Sequence, residues 1–180
     1  AACYTNVMTT EETILLTKSM VKHGDLLKLN KYPVIDKHSI GGIPGNRTTI
    51  IIVPIIAAAG YYIPKTSSRS ITSAAGTADT MEVLAKVAFP IEKMKQIVLK
   101  AKGCVVWGGS LNLAPADDKI ISVERPLEID AESQLLASIM AKKHSVSSTH
   151  IVIDVPVGRD SKVKNKVEAS RLKKEFEKIG

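Results

Sequence analysis

Apolar and polar positions follow two rhythms along the chain, one helical and one extended. Thr9-x-x-Glu12 has capping-box spacing, Ile14 to Val21 mixes apolar and polar positions, and Gly24 is a stop, so a helix is predicted there. Tyr32-Pro33-Val34-Ile35 predicts a short strand running into the glycine-rich stretch Asp36 to Gly45. Thr48 to Ala59 is apolar nearly all round and predicts a buried helix. Pro54 opposes it, since an interior proline costs about 3 kcal/mol. Tyr61 to Lys65 predicts a second strand, and Gly76-Thr77-Ala78-Asp79 opens a helix through about Val87. An amphipathic helix over Ile91 to Lys102 leads to a third strand, Cys104 to Trp107. Beyond Ala114-Pro115-Ala116-Asp117 the pattern changes. Glu124 to Asp130 reads as a connector, and Ala131 to Lys143 as a helix acidic at its start and basic at its end. His150 to Val155 predicts a buried strand, and the final helix carries Ala169, Leu172, Phe176 and Ile179 at core spacing. Strands alternating with helices predict an α/β fold, a mostly parallel sheet flanked by helices.

Composition narrows the class. The 180 residues, 44% hydrophobic and 24% charged, describe about one globular domain rather than a disordered chain. The longest apolar run, Ile50 to Ile63, is broken by Pro54 and Gly60 and falls short of the ~18–20 residues a membrane helix needs. The first residues lack the basic start and apolar centre of a signal peptide. Cys3 and Cys104 have no metal or redox spacing, which fits a reducing cytoplasm. His23, His38, His144 and His150 show no ligand spacing, so neither a metal nor another cofactor is expected. Net charge is +7, which suits an anionic partner without separating nucleic acid from small phosphates. Lys162, Lys164, Lys166, Arg171, Lys173, Lys174 and Lys178 form either a solvated face or an RNA-binding strip. Few aromatics accompany them and no nucleic-acid motif appears, so nucleic acid is not expected as a partner.

Two strand–loop–helix junctions carry the candidate chemistry. The first offers Lys37, Ser39, Gly41, Gly42 and Gly45, with Thr48 and Thr49 at the following helix start. The second offers Ser67, Ser68, Arg69, Thr72, Ser73, Gly76 and Thr77. Glycine lets backbone N–H groups approach an anion, and hydroxyls with a lysine complete such a site. Neither junction fits the Walker or dinucleotide fingerprint, and each taken alone is equally a structural turn. Two of them at the C-terminal ends of neighbouring strands converge on the crevice where open α/β sheets bind ligands.

Asp36-Lys37-His38-Ser39-x-Gly41-Gly42, Ser67-Ser68-Arg69 through Ala75-Gly76-Thr77-x-Asp79-x-x-Glu82, and Leu113-Ala114-Pro115-Ala116-Asp117 resemble the thymidine phosphorylase family in order and spacing. Within it, Pro44-Gly45-Asn46 and Thr72 to Thr77 resemble the AMP phosphorylase branch known from archaea. The resemblance implies a fragment of a longer, dimeric protein, with an α/β domain and a small all-helical domain made from separate chain segments. Residues 1–29 and 122–149 would be helical-domain segments, and 30–121 and 150–180 parts of the α/β domain.

It also implies phosphorolysis without a cofactor, inorganic phosphate attacking the ribose anomeric carbon as the base leaves. Lys37, Ser39, Thr49 and Ser67, with Thr77, match phosphate-holding positions. In the AMP branch Gly42, Ser68, Arg69, Ser70, Ile71, Thr72, Ser73 and Thr77 would contact the nucleotide, and Lys162 its 5′-phosphate. Arg125, Ser138 and Lys142 match base-recognition positions, although the interval from Arg125 to Ser138 is shorter than in the pyrimidine enzymes. Asp130 resembles the AMP-branch proton donor. It also stands where an N-cap aspartate belongs, and a helix N-terminus lowers a carboxyl pKa, so a donor there needs burial beneath the base. The leading expectation is therefore AMP phosphorolysis to adenine and ribose 1,5-bisphosphate. The alternatives are a thymidine or uridine phosphorylase, and a non-catalytic basic module binding nucleic acid or protein.

Overall fold

A computed structural model describes residues 2–41, 47–71 and 75–180. After the short helix α1 (Ala2–Thr5), Thr9 caps α2 (Thr10–Lys22) in a reciprocal capping box with Glu12, as the spacing predicts. Four parallel strands follow in two pairs: β1 (Ile35–Ser39) with β4 (His150–Asp154), and β2 (Ile63–Ser67) with β3 (Gly103–Trp107). The pairs meet at a Val34–Tyr62 bridge, where Ile35 N–H donates to Tyr62 O at 2.8 Å. Helices α3 (Thr48–Ala58), α4 (Thr77–Glu82), α5 (Ile91–Ala101) and α8 (Lys166–Ile179) flank the strands. Helices α6 (Pro115–Leu127) and α7 (Glu132–Ser145) pack with α1 and α2, so a helical region is assembled from separate segments. Met20 packs with the alanines Ala114, Ala137 and Ala141 at its centre. A larger apolar core, containing Met94, Val98, Val106, Leu111 and Leu113, lies around β3 and α5. No helix among the described residues is long and apolar enough to cross a membrane.

Several elements differ from the sequence reading. Strand β1 begins at Ile35 and runs through Asp36, Lys37 and His38, because these polar residues are held by ion pairs and enclosed atoms rather than by solvent. Helix α3 forms despite Pro54, whose ring faces outward, but it is not buried. Thr49 and Val53 are its buried residues, while Ile51 and Ile55 are each 59% exposed. Helix α4 ends at Glu82, short of Val87, which instead accepts a hydrogen bond from Trp107 N–H through its carbonyl. The expected connector from Glu124 is the last turn of α6. Pro126 falls near its end, and the helix stops where Glu128 turns left-handed at φ 52°. Strand β4 is an edge strand with Val152 exposed, since it pairs only with β1 among the described strands. In α8, Leu172 and Phe176 are buried, with Ala169 and Ile179 packed against their cluster, as the spacing predicts.

Candidate active site

Beyond their shared bridge, β1 and β2 run to the same side of the sheet, and their C-terminal ends line one cleft. His38, Ser39, Ile40 and Gly41 form one wall, and Lys65 to Arg69 the other. Gly76 and Thr77 at the start of α4 continue the second wall, while Ser138, Lys142 and Lys143 of α7 close it from the helical side. This is the crevice at the strand ends where parallel sheets take ligands.

Its floor is built from buried charges. Lys143 Nζ lies 2.8 Å from Asp36 Oδ2, with both side chains at most 1% exposed. Lys37 N–H also donates to Asp36, at 2.7 Å, and Lys37 Nζ stands 3.1 Å from Asp154 Oδ2 without hydrogen-bond alignment. Asp117, fully buried, accepts from Gln134 Nε2 at 2.9 Å, Ser138 Oγ at 2.9 Å and Lys142 Nζ at 2.5 Å. Those three donors are four residues apart along α7 and so share one face. A buried ion is tolerable only when paired and hydrogen-bonded, and each of these lysines meets its carboxylate.

Lys65 is different. It is 1% exposed, its Nζ donates to the carbonyl of Thr66, and no carboxylate among the described residues comes within ion-pairing distance. Burial, then the neighbouring charge of Lys143, pushes its pKa well below the usual lysine range. Burial followed by Lys143, Lys65, Lys142 and Lys37 likewise drives His38 well below the usual imidazole range. The Nδ1 of His38 is enclosed and unpartnered among the described residues, as is the Thr66 hydroxyl.

The loop leaving β2 is fixed by α4. Asp79 accepts from Ser70 N–H at 2.8 Å, Gly76 N–H at 2.9 Å and Arg69 Nη1 at 3.0 Å. Burial acts to raise its pKa, but those hydrogen bonds prevail and lower it. Glu82 takes two further bonds from Arg69, whose guanidinium stacks 4.7 Å from the Trp107 ring centre. A Cβ on Gly76 would fall 2.5 Å from Ser68 O, so only glycine lets the loop close on itself.

The structure gathers Ser39, Ser67, Ser68, Arg69, Ile71, Thr77, Ser138, Lys142 and Lys162 around the cleft. Lys37 is buried behind it in its pair with Asp154, and Ser70 is held by Asp79. Thr49 is buried in the first turn of α3 and does not line the cleft. Exposed Arg125 lines an adjoining depression beside Asp118, which shares Ser67, Ser68, Arg69 and Lys142 with the cleft. Burial raises the Asp118 carboxyl pKa. Asp130 lies outside the cleft lining, in a separate hollow with Tyr4 and Arg171, and is ion-paired to Lys162. It precedes the N-cap position, which Ala131 occupies. Gly42, Thr72 and Ser73 lie outside the described residues. Lys65, Asp117, Asp36 and Lys143 were not singled out by sequence. Asp36 and Asp117 stand in the matched motifs, and Lys65 is the one charge within β2, but polar character argues for a solvated position until the fold encloses it. Among the described residues, no three His, Cys, Asp or Glu side chains are gathered as a metal would need.

Comparison with known proteins places this architecture. The chain is 57% identical over 173 residues to the "Putative thymidine phosphorylase" of Nitrobacter hamburgensis, covering 96% of this chain and 34% of that one. It is 53% identical over 180 residues to the protein of the same name from Legionella pneumophila, covering 100% and 35%. The chain thus spans about a third of the length of these curated relatives. The crystal structure of anthranilate phosphoribosyltransferase from Thermus thermophilus shares the fold. Its TM-score is 0.73 at 18% identity, over 95% of this chain and 49% of that one. The expectation of AMP phosphorolysis, with Asp130 protonating a departing purine, is overturned by these relatives, which bear the thymidine phosphorylase name. Residues 31–159 match the family described as "Glycosyl transferase family, a/b domain", and this chain belongs to that family.

Proposed function

We propose that the protein containing this chain catalyses phosphorolysis of a pyrimidine nucleoside, thymidine or uridine. The observation that carries this reading is the 57% identity to a relative with the thymidine phosphorylase name, joined to a cation-rich cleft at the strand ends. An oxygen of inorganic phosphate attacks the anomeric carbon, the bond from that carbon to the base nitrogen breaks, and its electron pair leaves with the base. The base ends with the proton that the hydrogen phosphate gives up. The products are free pyrimidine and the sugar 1-phosphate.

In this reading the phosphate sits between the ends of β1 and β2, against Ser39, Ser67, Ser68 and Thr77, with the buried lysines beneath it. The base lies toward Arg125, Ser138 and Lys142, and the donors of Arg125 and Lys142 take up the negative charge that develops on its carbonyl oxygens. The network around Asp117 holds Ser138 and Lys142 in place before substrate arrives, so little reorganisation is left to the reaction. Asp130 and Lys162 act as an ion pair that ties the loop before α8 to the start of α7. A dimer and a cytoplasmic setting belong to the same proposal.

The test is release of thymine or uracil by the full-length protein with and without phosphate, with 31P NMR of the sugar product. Base release that requires phosphate and yields a sugar 1-phosphate is expected. Release by water alone, or none from either nucleoside, would overturn the reading.

A further inference from the structure

Five lysines lie in or behind the cleft, and four of them have a carboxylate, Lys162 meeting Asp130. Lys143 meets Asp36, Lys37 faces Asp154, and Lys142 meets Asp117. Among the described residues Lys65, on the central strand β2, has only the carbonyl of its neighbour Thr66. Thr66 and His38 also line the cleft, and among the described residues their Oγ1 and Nδ1 atoms are enclosed without partners. A buried amine with no counter-charge, at a cleft also lined by Lys142 and Lys143, suits an entering anion.

We propose that Lys65 is the cation that phosphate engages at the floor of this cleft, and that its amine takes up one proton from solvent as the phosphate enters. The step balances simply: the neutral amine becomes an ammonium, and the phosphate dianion gains its counter-charge. The inference rests on the phosphorolysis reading only for the identity of the anion.

The surroundings favour this sequence of events. Desolvation and the lysines Lys143, Lys37 and Lys142 disfavour a charged Lys65 in the empty cleft, with Asp36 opposing them. An entering dianion reverses the balance, because an opposite charge at contact distance favours the protonated amine. The other groups facing Lys65 do not confuse the readout. His38 on β1 is held well below the imidazole range in the empty cleft, chiefly by burial, and any proton it takes up with phosphate persists in Lys65→Arg and is separated there. Cys104 on β3 is pushed up to about 12, chiefly by burial.

Calorimetric titration of inorganic phosphate into the full-length protein, in buffers of different ionisation enthalpy, tests the proposal. Between about pH 8 and about pH 9 the dianion dominates. Uptake approaching one proton per phosphate is expected, with Kd rising toward about tenfold per pH unit. Lys65→Met, an apolar side chain suited to this buried position, should abolish the uptake and weaken phosphate at least about tenfold. Lys65→Arg, permanently charged, should bind phosphate without proton uptake. Wild-type binding without proton uptake, or unchanged phosphate affinity in Lys65→Met, would overturn the role of Lys65. Thymine release measured in parallel separates the two readings. Proton-linked, Lys65-dependent phosphate binding without thymine release sinks the substrate assignment and leaves the lysine's role standing. Normal release with an unchanged phosphate KM in Lys65→Met sinks the lysine's role alone.

Discussion

Around β3 and α5, Met94, Val98, Val106, Leu111 and Leu113 fill the interior with hydrocarbon. Around β1 and α7 the same depth is occupied by Asp36, Lys37, Gln134, Lys142 and Lys143. The first region is stabilised by removing apolar surface from water, without regard to direction. The second exists only because each charge finds its counterpart, so it carries a desolvation cost and gains fixed geometry. The β3–α5 interior is held by hydrocarbon, and the floor between β1 and α7 by paired charges.

The comparison breaks most visibly at the Asp36–Lys143 pair. Lys143→Ala leaves a buried, unpaired carboxylate and should cost about 3–5 kcal/mol in urea denaturation. The double variant Asp36→Leu/Lys143→Met should cost less than that single change. If Lys143→Ala costs under about 1 kcal/mol, the pair is not what holds β1 to α7. On the apolar side, Met94→Ala should cost about 2–5 kcal/mol, and here no second substitution that neutralises a charge should rescue it.

His38 gives a smaller, pH-dependent effect. Its folded pKa is lowered, so stability is unaffected above the ordinary imidazole value of 6.5. Below it, the unfolded chain binds a proton that the folded chain refuses. Stability should fall on acidification by up to about 1.4 kcal/mol per pH unit, and His38→Gln should flatten that slope. An unchanged slope would mean that the ring is not sealed from protons. The smallest effect belongs to the exposed Arg171–Glu132 pair, 2.5 Å apart. Arg171→Ala should change stability by at most about 1 kcal/mol, and a larger loss would show α8 to depend on that contact.

The same contrast explains what could be read from the chain. Capping at Thr9 and the apolar spacing of α8 are local signals, and both elements form as the pattern requires. Strand β1 was displaced in the sequence reading because Asp36 and Lys37 look solvated until Lys143 and Asp154, over a hundred positions away, are brought beside them. The outward face of α3 misleads in the opposite direction: unbroken hydrophobicity indicates burial, yet Ile51 and Ile55 face out. At the site, the hydroxyl-rich junctions were legible, since glycine and serine at strand ends have a mechanism of their own. Asp117 was not legible as the organiser of α7, because its role lies in three donors that only the folded chain assembles.

The most direct test of nucleoside phosphorolysis in this cleft is the phosphate-dependent kcat/KM for thymidine of the full-length protein, wild type against Arg125→Ala. Arg125 is exposed, so its removal should leave the melting temperature unchanged. Loss of one charged donor to the base should lower kcat/KM by about 10- to 100-fold. Wild-type kcat/KM in Arg125→Ala, or thymine release that ignores phosphate, would contradict the account.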